Sequence, residues 1–241
     1  MEYNVANQIV SEEDHMNYGI YRPEQITKQI KGVLFDMDGV VLDTEKLYCR
    51  FWREAAMALG YPMTVEQALG MRSLNAQAGQ KKLESYFGPG VSREAMKQKR
   101  VELMDAYVQI HGVDPKPGIS ELLDELKRRG IRTAITTSSP MDRVRRYLKP
   151  LGLLEKFDCL CSGHDVPHGK PEPDIYLHGA ASVGLAPDEC LAIEDSHAGV
   201  LSASRAGCLT VLIPDLDEPA PETLEPLYAC CENLTDLLKY L

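Results

Sequence analysis

The stretch from Gly32 to Thr44 restricts the fold of this chain more than any other. A short apolar run leads directly into Asp36 and Asp38, and Gly39 follows as a residue that lets the chain turn sharply. A short apolar run bounded by turn residues is typical of a strand buried inside a parallel sheet. Ligands in open parallel α/β sheets gather at the carboxyl ends of the strands. The pattern therefore predicts that the two carboxylates emerge together at that edge, as part of an active site.

Two other interpretations apply to this segment when it is taken alone. An ordinary turn at the end of a strand also favours Asp and Gly, and this interpretation stays open. A calcium-binding loop needs oxygen ligands at its first, third and fifth positions and glycine at its sixth. Here Gly39 occupies the fourth position and Val40 the fifth, so the pattern excludes a calcium loop.

Composition narrows the class of protein. Of the 241 residues, 44% are hydrophobic and 26% are charged, which is typical of a soluble globular protein with one or two domains. No apolar run approaches the roughly 20 residues of a membrane span, and the amino terminus lacks the pattern of a secretory signal. Seven scattered cysteines without a C-x-x-C pair indicate reduced thiols. We therefore expect a cytoplasmic protein with no membrane partner.

The net charge limits the class of partner. A formal charge of -10 argues against nucleic acid, because proteins that bind it carry basic surfaces. The charge does not exclude a small anionic substrate, since a bound metal ion can reverse the local field.

Strand-like and helix-like stretches alternate from Lys31 onwards, which predicts an α/β core with a parallel, Rossmann-like sheet. One helix is indicated by apolar residues at i, i+3, i+4 and i+7 from Ile119, and Gly130 follows as its end. Leu234 and Leu237 begin a similar spacing near the carboxyl terminus. Further strands are predicted over residues 131–136, 157–161, 190–193 and 208–213, and further helices over 173–183 and 197–206.

The chain divides into three regions of different composition. Residues 1–28 are polar and irregular, and we interpret them as an N-terminal extension outside the main pattern. Residues 46–112 carry helical patterns and no convincing strand, which predicts a small α-helical cap domain inserted after the first strand. The predicted core domain consists of residues 29–45 and 113–241.

Three further polar segments follow predicted strands and should reach the same edge of the sheet. Thr137 and Ser138 follow the second strand, where hydroxyls and free backbone N–H groups suit a phosphoryl oxygen. Lys170 lies ahead of a helix, in a loop that two prolines hold stiff. Glu194 and Asp195 end an apolar strand, and paired carboxylates in this place suit a hard cation.

Each of these segments also has a simpler interpretation. The hydroxyls of Thr137 and Ser138 would equally serve as a helix N-cap. A lysine such as Lys170 is most often a solvated surface charge. The combination of four segments in this order, after successive strands, is far more specific than any one of them.

Taken together, the four motifs resemble the haloacid dehalogenase-like superfamily, in its β-phosphoglucomutase-like phosphatase branch with a helical cap. The resemblance runs from about Lys31 to Leu241 and leaves the first 30 residues uncovered. It implies an α/β fold with a Rossmann-like parallel core and an inserted small cap. The segments that carry the resemblance are Asp36-Met37-Asp38, Thr137-Ser138, Lys170 and Glu194-Asp195.

The resemblance also implies a role for each matched residue. Asp36 corresponds to a nucleophile that forms an aspartyl-phosphate, and Asp38 to the general acid/base. Thr137, with Ser138 beside it, corresponds to the hydroxyl that binds the phosphoryl group, and Lys170 to the lysine that neutralises charge. The implied cofactor is Mg²⁺, held by Asp36, the main-chain carbonyl of Asp38, Glu194 and Asp195.

The predicted cap departs from the pattern of the mutase relatives. The mutase relatives have a histidine at the position of Tyr48 and a lysine at the position of Leu69. Both differences weaken the interpretation as a mutase. Arg72 and Ser73 are the cap residues predicted to face the substrate, with Tyr48 lining the pocket. An exposed arginine at a helix start is the alternative for Arg72.

Three functions therefore stay open. The leading hypothesis is a Mg²⁺-dependent phosphatase that hydrolyses a small phosphomonoester, a sugar phosphate or a nucleotide. The alternative is a β-phosphoglucomutase-like sugar phosphomutase, and a non-catalytic phosphate-binding protein comes third. The expected partner is a small phosphorylated metabolite, and we expect a monomer or a weak homodimer.

Overall fold

The computed structural model describes residues 20–72, 74, 76–216 and 218–240. Two predictions fall outside these residues: the substrate contact of Ser73, and most of the N-terminal extension, residues 1–19. Within the described part of the chain, no helix is both long and apolar enough to cross a membrane. Cys159, Cys161, Cys190, Cys208 and Cys230 are free thiols, as the sequence predicts.

The described residues form one parallel sheet, which confirms the predicted α/β class. The sheet order is β3-β2-β1-β4-β5-β6, and every neighbouring pair of strands is parallel. The first strand therefore lies inside the sheet, paired with β2 on one side and β4 on the other. The strands are β1 (Gly32–Phe35), β2 (Arg132–Thr137), β3 (Cys159–Ser162), β4 (Cys190–Glu194), β5 (Leu209–Leu212) and β6 (Ala229–Cys230).

Helices occupy the connections between the strands. Those within residues 45–111 follow β1, and the others alternate with the later strands. The helices are α1 (Glu45–Ala58), α2 (Val65–Leu69), α3 (Ala76–Phe87), α4 (Arg93–His111), α5 (Ile119–Arg128), α6 (Met141–Leu148), α7 (Asp174–Ser182), α8 (His197–Ala206) and α9 (Pro221–Leu224).

The apolar run of β1 is buried on both faces of the sheet, which explains why it has no alternation of polar residues. Successive side chains point to opposite faces of a strand. Val33 and Phe35 pack in a large apolar cluster with α5 and α6. Leu34 packs on the other face, with Tyr176 of α7 and Ala203 of α8. The two helical layers hold β1, and the carboxylates that follow it, in a fixed position.

Part of the helices α1–α4 forms an apolar cluster of its own, whereas other apolar residues of α1 and α4 pack in the large cluster with β1. Trp52, Leu83 and Met96 are buried in the first of these two clusters. The two connections to the sheet run side by side, because the Asp43 N–H donates to the Asp114 carbonyl at 2.9 Å. This arrangement is compatible with the predicted cap, whose boundaries stay a prediction.

The described part of the N-terminal extension packs against the last strand. Tyr21 forms an antiparallel bridge with Ala229 of β6, and its ring packs edge-on against Tyr228. The guanidinium of Arg22 donates to the Leu227 carbonyl at 2.7 Å. These contacts cover one edge of the sheet, on the far side from β3.

Candidate active site

Asp36 and Asp38 follow β1 directly and lie at the carboxyl edge of the sheet. The Asp36 N–H donates to the Ile193 carbonyl of β4 at 3.0 Å, so the backbone of Asp36 still belongs to the ladder. Gly39 has a φ of +87°, a conformation that favours glycine. A Cβ on Gly39 would lie 2.2 Å from Oδ2 of Asp195. The absence of a side chain therefore lets Asp195 approach the turn.

Lys170 reaches the site from the loop before α7. Its Nζ donates to Oδ1 of Asp36 and to Oε1 of Glu194, both at 2.5 Å, and to the Thr136 carbonyl at 3.1 Å. The side chain is 8% exposed, so this lysine is a fixed, buried cation. The two carboxylates raise the pKa of Lys170 above its usual value against the opposing effect of burial, and the ammonium stays charged.

Glu194 is fully buried at the end of β4. Besides Lys170, its carboxylate accepts from the Tyr176 hydroxyl at 2.5 Å and from the Ser196 hydroxyl at 3.2 Å. Gly199, in the first turn of α8, leaves the room for it, since a Cβ there would lie 1.9 Å from the Glu194 carboxyl carbon. Sequence reasoning missed Tyr176, which lies two residues into an ordinary apolar helix and carries no local signal.

Asp36, Glu194 and Asp195 each offer a carboxylate oxygen within 4.8 Å of the others. Three carboxylates around one lysine leave an excess of negative charge in a buried place, which is costly unless a cation offsets it. An all-oxygen donor set of this kind suits a hard divalent cation. The residues present therefore fit the metal that the four motifs imply.

Burial and the closeness of the carboxylates also raise the pKa values of Asp36 and Asp195. Burial raises the pKa of Asp36 to about 8, opposed by Lys170 and supported by the charges of Glu194 and Asp38. Burial also raises the pKa of Asp195 well above its usual value, and the charges of Asp36 and Glu194 add to this effect. A nearby cation would favour the ionised form of both carboxyl groups and lower both pKa values.

Asp38 has neutral partners instead of a cation. Its Oδ1 accepts from the hydroxyls of Thr44 at 2.8 Å and Tyr48 at 3.2 Å, and its Oδ2 accepts from the Ser139 hydroxyl at 2.9 Å. The three donors come from the start of α1, its first turn and the loop after β2. Thr44 and Ser139 were not among the predicted site residues.

The loop between β2 and α6 carries the predicted phosphate-binding hydroxyls. Thr137 is buried, and its Oγ1 accepts from the backbone N–H of Ser139 at 3.0 Å. Ser138 is exposed, whereas Ser139 is buried against Asp38. The structure therefore brings Thr137 and Ser139 into the site and turns Ser138 towards solvent.

The predicted cap contacts lie on the other side of the turn. Nε of Arg72 donates to Oε2 of Glu45 at 2.8 Å, and the Arg72 side chain is 4% exposed. Glu45 begins α1 and also lies beside Gly39. Arg72 is thus a buried, ion-paired residue near the carboxylate turn, which does not match the exposed arginine of the alternative interpretation. Its contact with a substrate stays a prediction.

Comparisons with known proteins identify the same family as the motifs. A family model for haloacid dehalogenase-like hydrolases matches residues 30–207. The chain is 35% identical to hexitol phosphatase A of Escherichia coli over 207 residues, which cover 85% of this chain and 93% of that protein. It is 27% identical to the β-phosphoglucomutase of Bacillus subtilis over 188 residues, which cover 76% and 82% of the two chains.

A solved structure shares the fold as well. The crystal structure of a hydrolase from Pseudomonas syringae has a TM-score of 0.72 and 26% identity, and the match covers 87% of this chain and 97% of that one. The strand order and the four strand-end motifs thus point to the same family as the family model, which matches most of the chain. The chain belongs to the haloacid dehalogenase-like hydrolase family, and it is an enzyme of the β-phosphoglucomutase-like phosphatase branch.

Proposed function

We propose that the enzyme is a Mg²⁺-dependent phosphatase that hydrolyses a small phosphomonoester, a sugar phosphate or a nucleotide, through an aspartyl-phosphate on Asp36. One observation carries this proposal. The buried Asp36 carboxylate is bound by Lys170 at 2.5 Å. A second carboxylate, Asp38, stands two residues away and accepts from three hydroxyl groups. A nucleophile and a proton donor are therefore available side by side.

Mg²⁺ would be held by carboxylate oxygens of Asp36, Glu194 and Asp195, together with the main-chain carbonyl of Asp38. When bound, it would offset the repulsion between Asp36 and an anionic phosphate. Lys170 supplies a fixed positive charge for the same purpose, because it already contacts Asp36 and Glu194. Thr137 would donate its hydroxyl hydrogen to a phosphoryl oxygen.

In the first step, an Asp36 oxygen attacks phosphorus, and the bond from phosphorus to the ester oxygen breaks. Asp38 donates its proton to that ester oxygen, which leaves as an alcohol. In the second step, Asp38 removes a proton from water, and the water oxygen attacks phosphorus. The bond between Asp36 and phosphorus then breaks, releasing inorganic phosphate and restoring the carboxylate.

A phosphomutase is the second candidate, because the chain is similar to a β-phosphoglucomutase. Tyr48 and Leu69 favour hydrolysis, because the mutase relatives have a histidine and a lysine at these two positions. The cytoplasmic location, the absence of a nucleic acid partner and the monomeric or weakly dimeric state remain predictions, as does the substrate contact of Arg72.

The proposal is tested by a hydrolysis screen with p-nitrophenyl phosphate, sugar phosphates and nucleoside monophosphates, with Mg²⁺ or with excess EDTA. We expect phosphate release only with the metal. Asp36→Asn should lower kcat by about three orders of magnitude or more, because the isosteric amide cannot form an acyl-phosphate.

Asp142→Asn is the matched control, since Asp142 is exposed in the first turn of α6. It should retain full activity, and both variants should keep the melting temperature of the wild type to within a few degrees. Activity of Asp36→Asn within tenfold of the wild type would remove Asp36 from the role of nucleophile.

A further inference from the structure

Two arginines close to Asp38 have no anionic partner. Arg100 belongs to α4 and Arg143 to α6, so they come from two separate helices. Among the residues that the structure describes, neither guanidinium has a carboxylate oxygen within the 4.0 Å of an ion pair, and the Nε of each is buried without a hydrogen-bond partner.

The contacts that these arginines do make involve aromatic side chains. The Arg100 Cζ lies 4.6 Å from the ring centre of Tyr48 and 4.9 Å from that of Trp52. An Arg143 Nη1 donates to the Tyr48 hydroxyl at 3.4 Å. Aromatic faces attract a guanidinium, but they leave its N–H donors unused. Tyr48 therefore lies between the two cations and Asp38.

The two guanidinium groups are buried close enough for the charge of one to act on the other. Burial lowers the pKa of Arg100, and the charge of Arg143 adds to this effect, whereas Tyr48 and Asp38 oppose it. The pKa of Arg143 is raised, because Tyr48, Tyr147 and Asp38 act against burial. Arg72 differs, because its Nε is ion-paired with Glu45. A guanidinium has five N–H donors in a fixed fork that matches carboxylate and phosphate oxygens. Two such groups beside the same tyrosine, with no carboxylate of the described residues at ion-pair distance, are arranged to receive an anion.

The place of this pair in the site indicates which part of a substrate it would contact. The Tyr48 hydroxyl donates to Oδ1 of Asp38 at 3.2 Å and accepts from Arg143. Asp38 faces the leaving oxygen in the proposed reaction, so the two arginines stand one side chain beyond it. In the proposed reaction they therefore stand next to the leaving group, and the described contacts of Lys170 involve neither of them.

We infer that Arg100 and Arg143 bind a second anionic group of the substrate, a carboxylate or a second phosphate carried by the leaving alcohol. This inference rests on the proposed phosphatase function and narrows its substrate class. The preferred substrates are phosphorylated hydroxy acids or bisphosphates, in preference to neutral sugar monophosphates. Arg100 and Arg143 determine specificity and take no part in the transfer of the phosphoryl group.

The first test compares substrates that differ by the second anion. One pair is 3-phosphoglycerate against glycerol 3-phosphate, and the other is fructose 1,6-bisphosphate against fructose 6-phosphate. The wild type should favour the anionic member of at least one pair by about tenfold or more in kcat/KM. A preference in the first pair identifies a carboxylate, and a preference in the second identifies a phosphate.

Variants then assign the preference to the two side chains. Arg100→Met and Arg143→Met should each lower the ratio of kcat/KM for the anionic over the neutral member by about tenfold, and Arg143→Lys should restore part of it. Arg145→Met on α6 and Lys97→Met on α4 remove exposed charges from the same helices and should leave the ratio unchanged. A wild-type ratio near one, or an equal loss on both members, overturns the inference.

A binding measurement separates this inference from the proposed function. Calorimetry with the Asp36→Asn protein should give tighter binding of 3-phosphoglycerate or fructose 1,6-bisphosphate than of the neutral partner, and Arg143→Met should abolish the difference. If the wild type hydrolyses none of the esters while Asp36→Asn still discriminates, the proposed function fails and the anion site stands. Hydrolysis without any discrimination overturns the anion site alone.

Discussion

Asp36 and Asp38 are two residues apart, yet their side chains have different environments. Asp36 contacts the ammonium of Lys170 and shares its surroundings with two other carboxylates. Asp38 accepts from three hydroxyl groups of the described residues. A carboxylate that must act as a nucleophile gains from a fixed cation, whereas one that must take up and release a proton gains from neutral partners.

Asp38→Ala should separate turnover from metal binding. We expect steady-state hydrolysis to fall by about two orders of magnitude or more, because no group is left to protonate the leaving alcohol or to activate water. Magnesium affinity, measured by calorimetry, should stay within about threefold of the wild type, since the substitution retains the main-chain carbonyl. A large loss of magnesium affinity would show instead that the Asp38 side chain is itself a ligand.

Metal binding should be strongly pH-dependent. Asp36 has a pKa raised to about 8 from 3.8, so the folded metal-free enzyme holds a proton there that the unfolded chain releases. Since raised carboxyl pKa values stabilise the protonated form, the metal-free protein should lose stability as pH rises towards 8. A cation must displace that proton, and its affinity should rise by up to about tenfold per pH unit between about pH 6 and pH 8. Calorimetry at several pH values checks this, and a pH-independent affinity would contradict it.

At the scale of the elements, the agreement between sequence and structure follows the strength of the local signals. The helix predicted over residues 197–206 has those bounds in the structure. Ser196 caps its start, because its hydroxyl accepts from the Gly199 N–H, and Gly207 ends it with a φ of +89°. Both signals are chemical properties of single residues and are therefore legible in the sequence.

Other elements lack such signals. β6 has two residues, too few for a period of hydrophobicity to be recognised. The spacing of Leu234 and Leu237 indicated an α-helix, but residues 234–240 form a 3₁₀-helix. A separation of three residues places side chains on one face of either helix. The run of three hydroxyls from Thr137 to Ser139 likewise gave no indication of which serine faces Asp38, because that depends on the conformation of the turn.

The first turn of α8 offers a test of how an element supports the site. Gly199→Ala raises the intrinsic helix propensity, but the new Cβ would meet the Glu194 carboxylate at 1.9 Å. We expect a loss of about 1–3 kcal/mol in the free energy of unfolding and a loss of magnesium affinity as Glu194 moves. Ser204→Ala on the same helix is the control and should change neither quantity. Urea titration and calorimetry measure the two effects, and a stabilised variant would show that Glu194 has room to shift.

At the scale of the whole molecule, the residues proposed for the chemistry come from one part of the chain, and most of those proposed to select the substrate come from another, with Arg143 of α6 as the exception. The strand-end residues Asp36, Thr137, Lys170 and Glu194 come from the sheet and its loops. Tyr48, Arg72 and Arg100 come from the helical segment that follows β1, part of which packs in a separate apolar cluster. The chain passes between the two parts through two neighbouring segments, which the Asp43–Asp114 hydrogen bond joins. Changes in the helices should therefore alter selectivity more than the chemical step.

The identity of residue 48 has a consequence for the reaction outcome. A mutase must retain its phosphorylated intermediate while a bisphosphate turns round and must exclude water, whereas a phosphatase has only to admit water. Tyr48 already donates to Asp38, and burial raises its pKa, so it stays protonated and binds Asp38 as a neutral group. Leu69 provides no charge to hold a sugar phosphate as it turns. Water is therefore the expected acceptor of the phosphoryl group.

With β-glucose 1-phosphate as the substrate, free phosphate should appear and glucose 6-phosphate should not accumulate. Adding glucose 1,6-bisphosphate, which would prime a mutase, should not change this outcome, because the reaction of the phosphorylated Asp36 with water consumes the intermediate first. Coupled detection of glucose 6-phosphate beside a phosphate assay measures both products in one sample. Glucose 6-phosphate formed faster than free phosphate would establish the mutase, and Tyr48→His should move the product ratio in that direction if this position controls the choice between water and sugar.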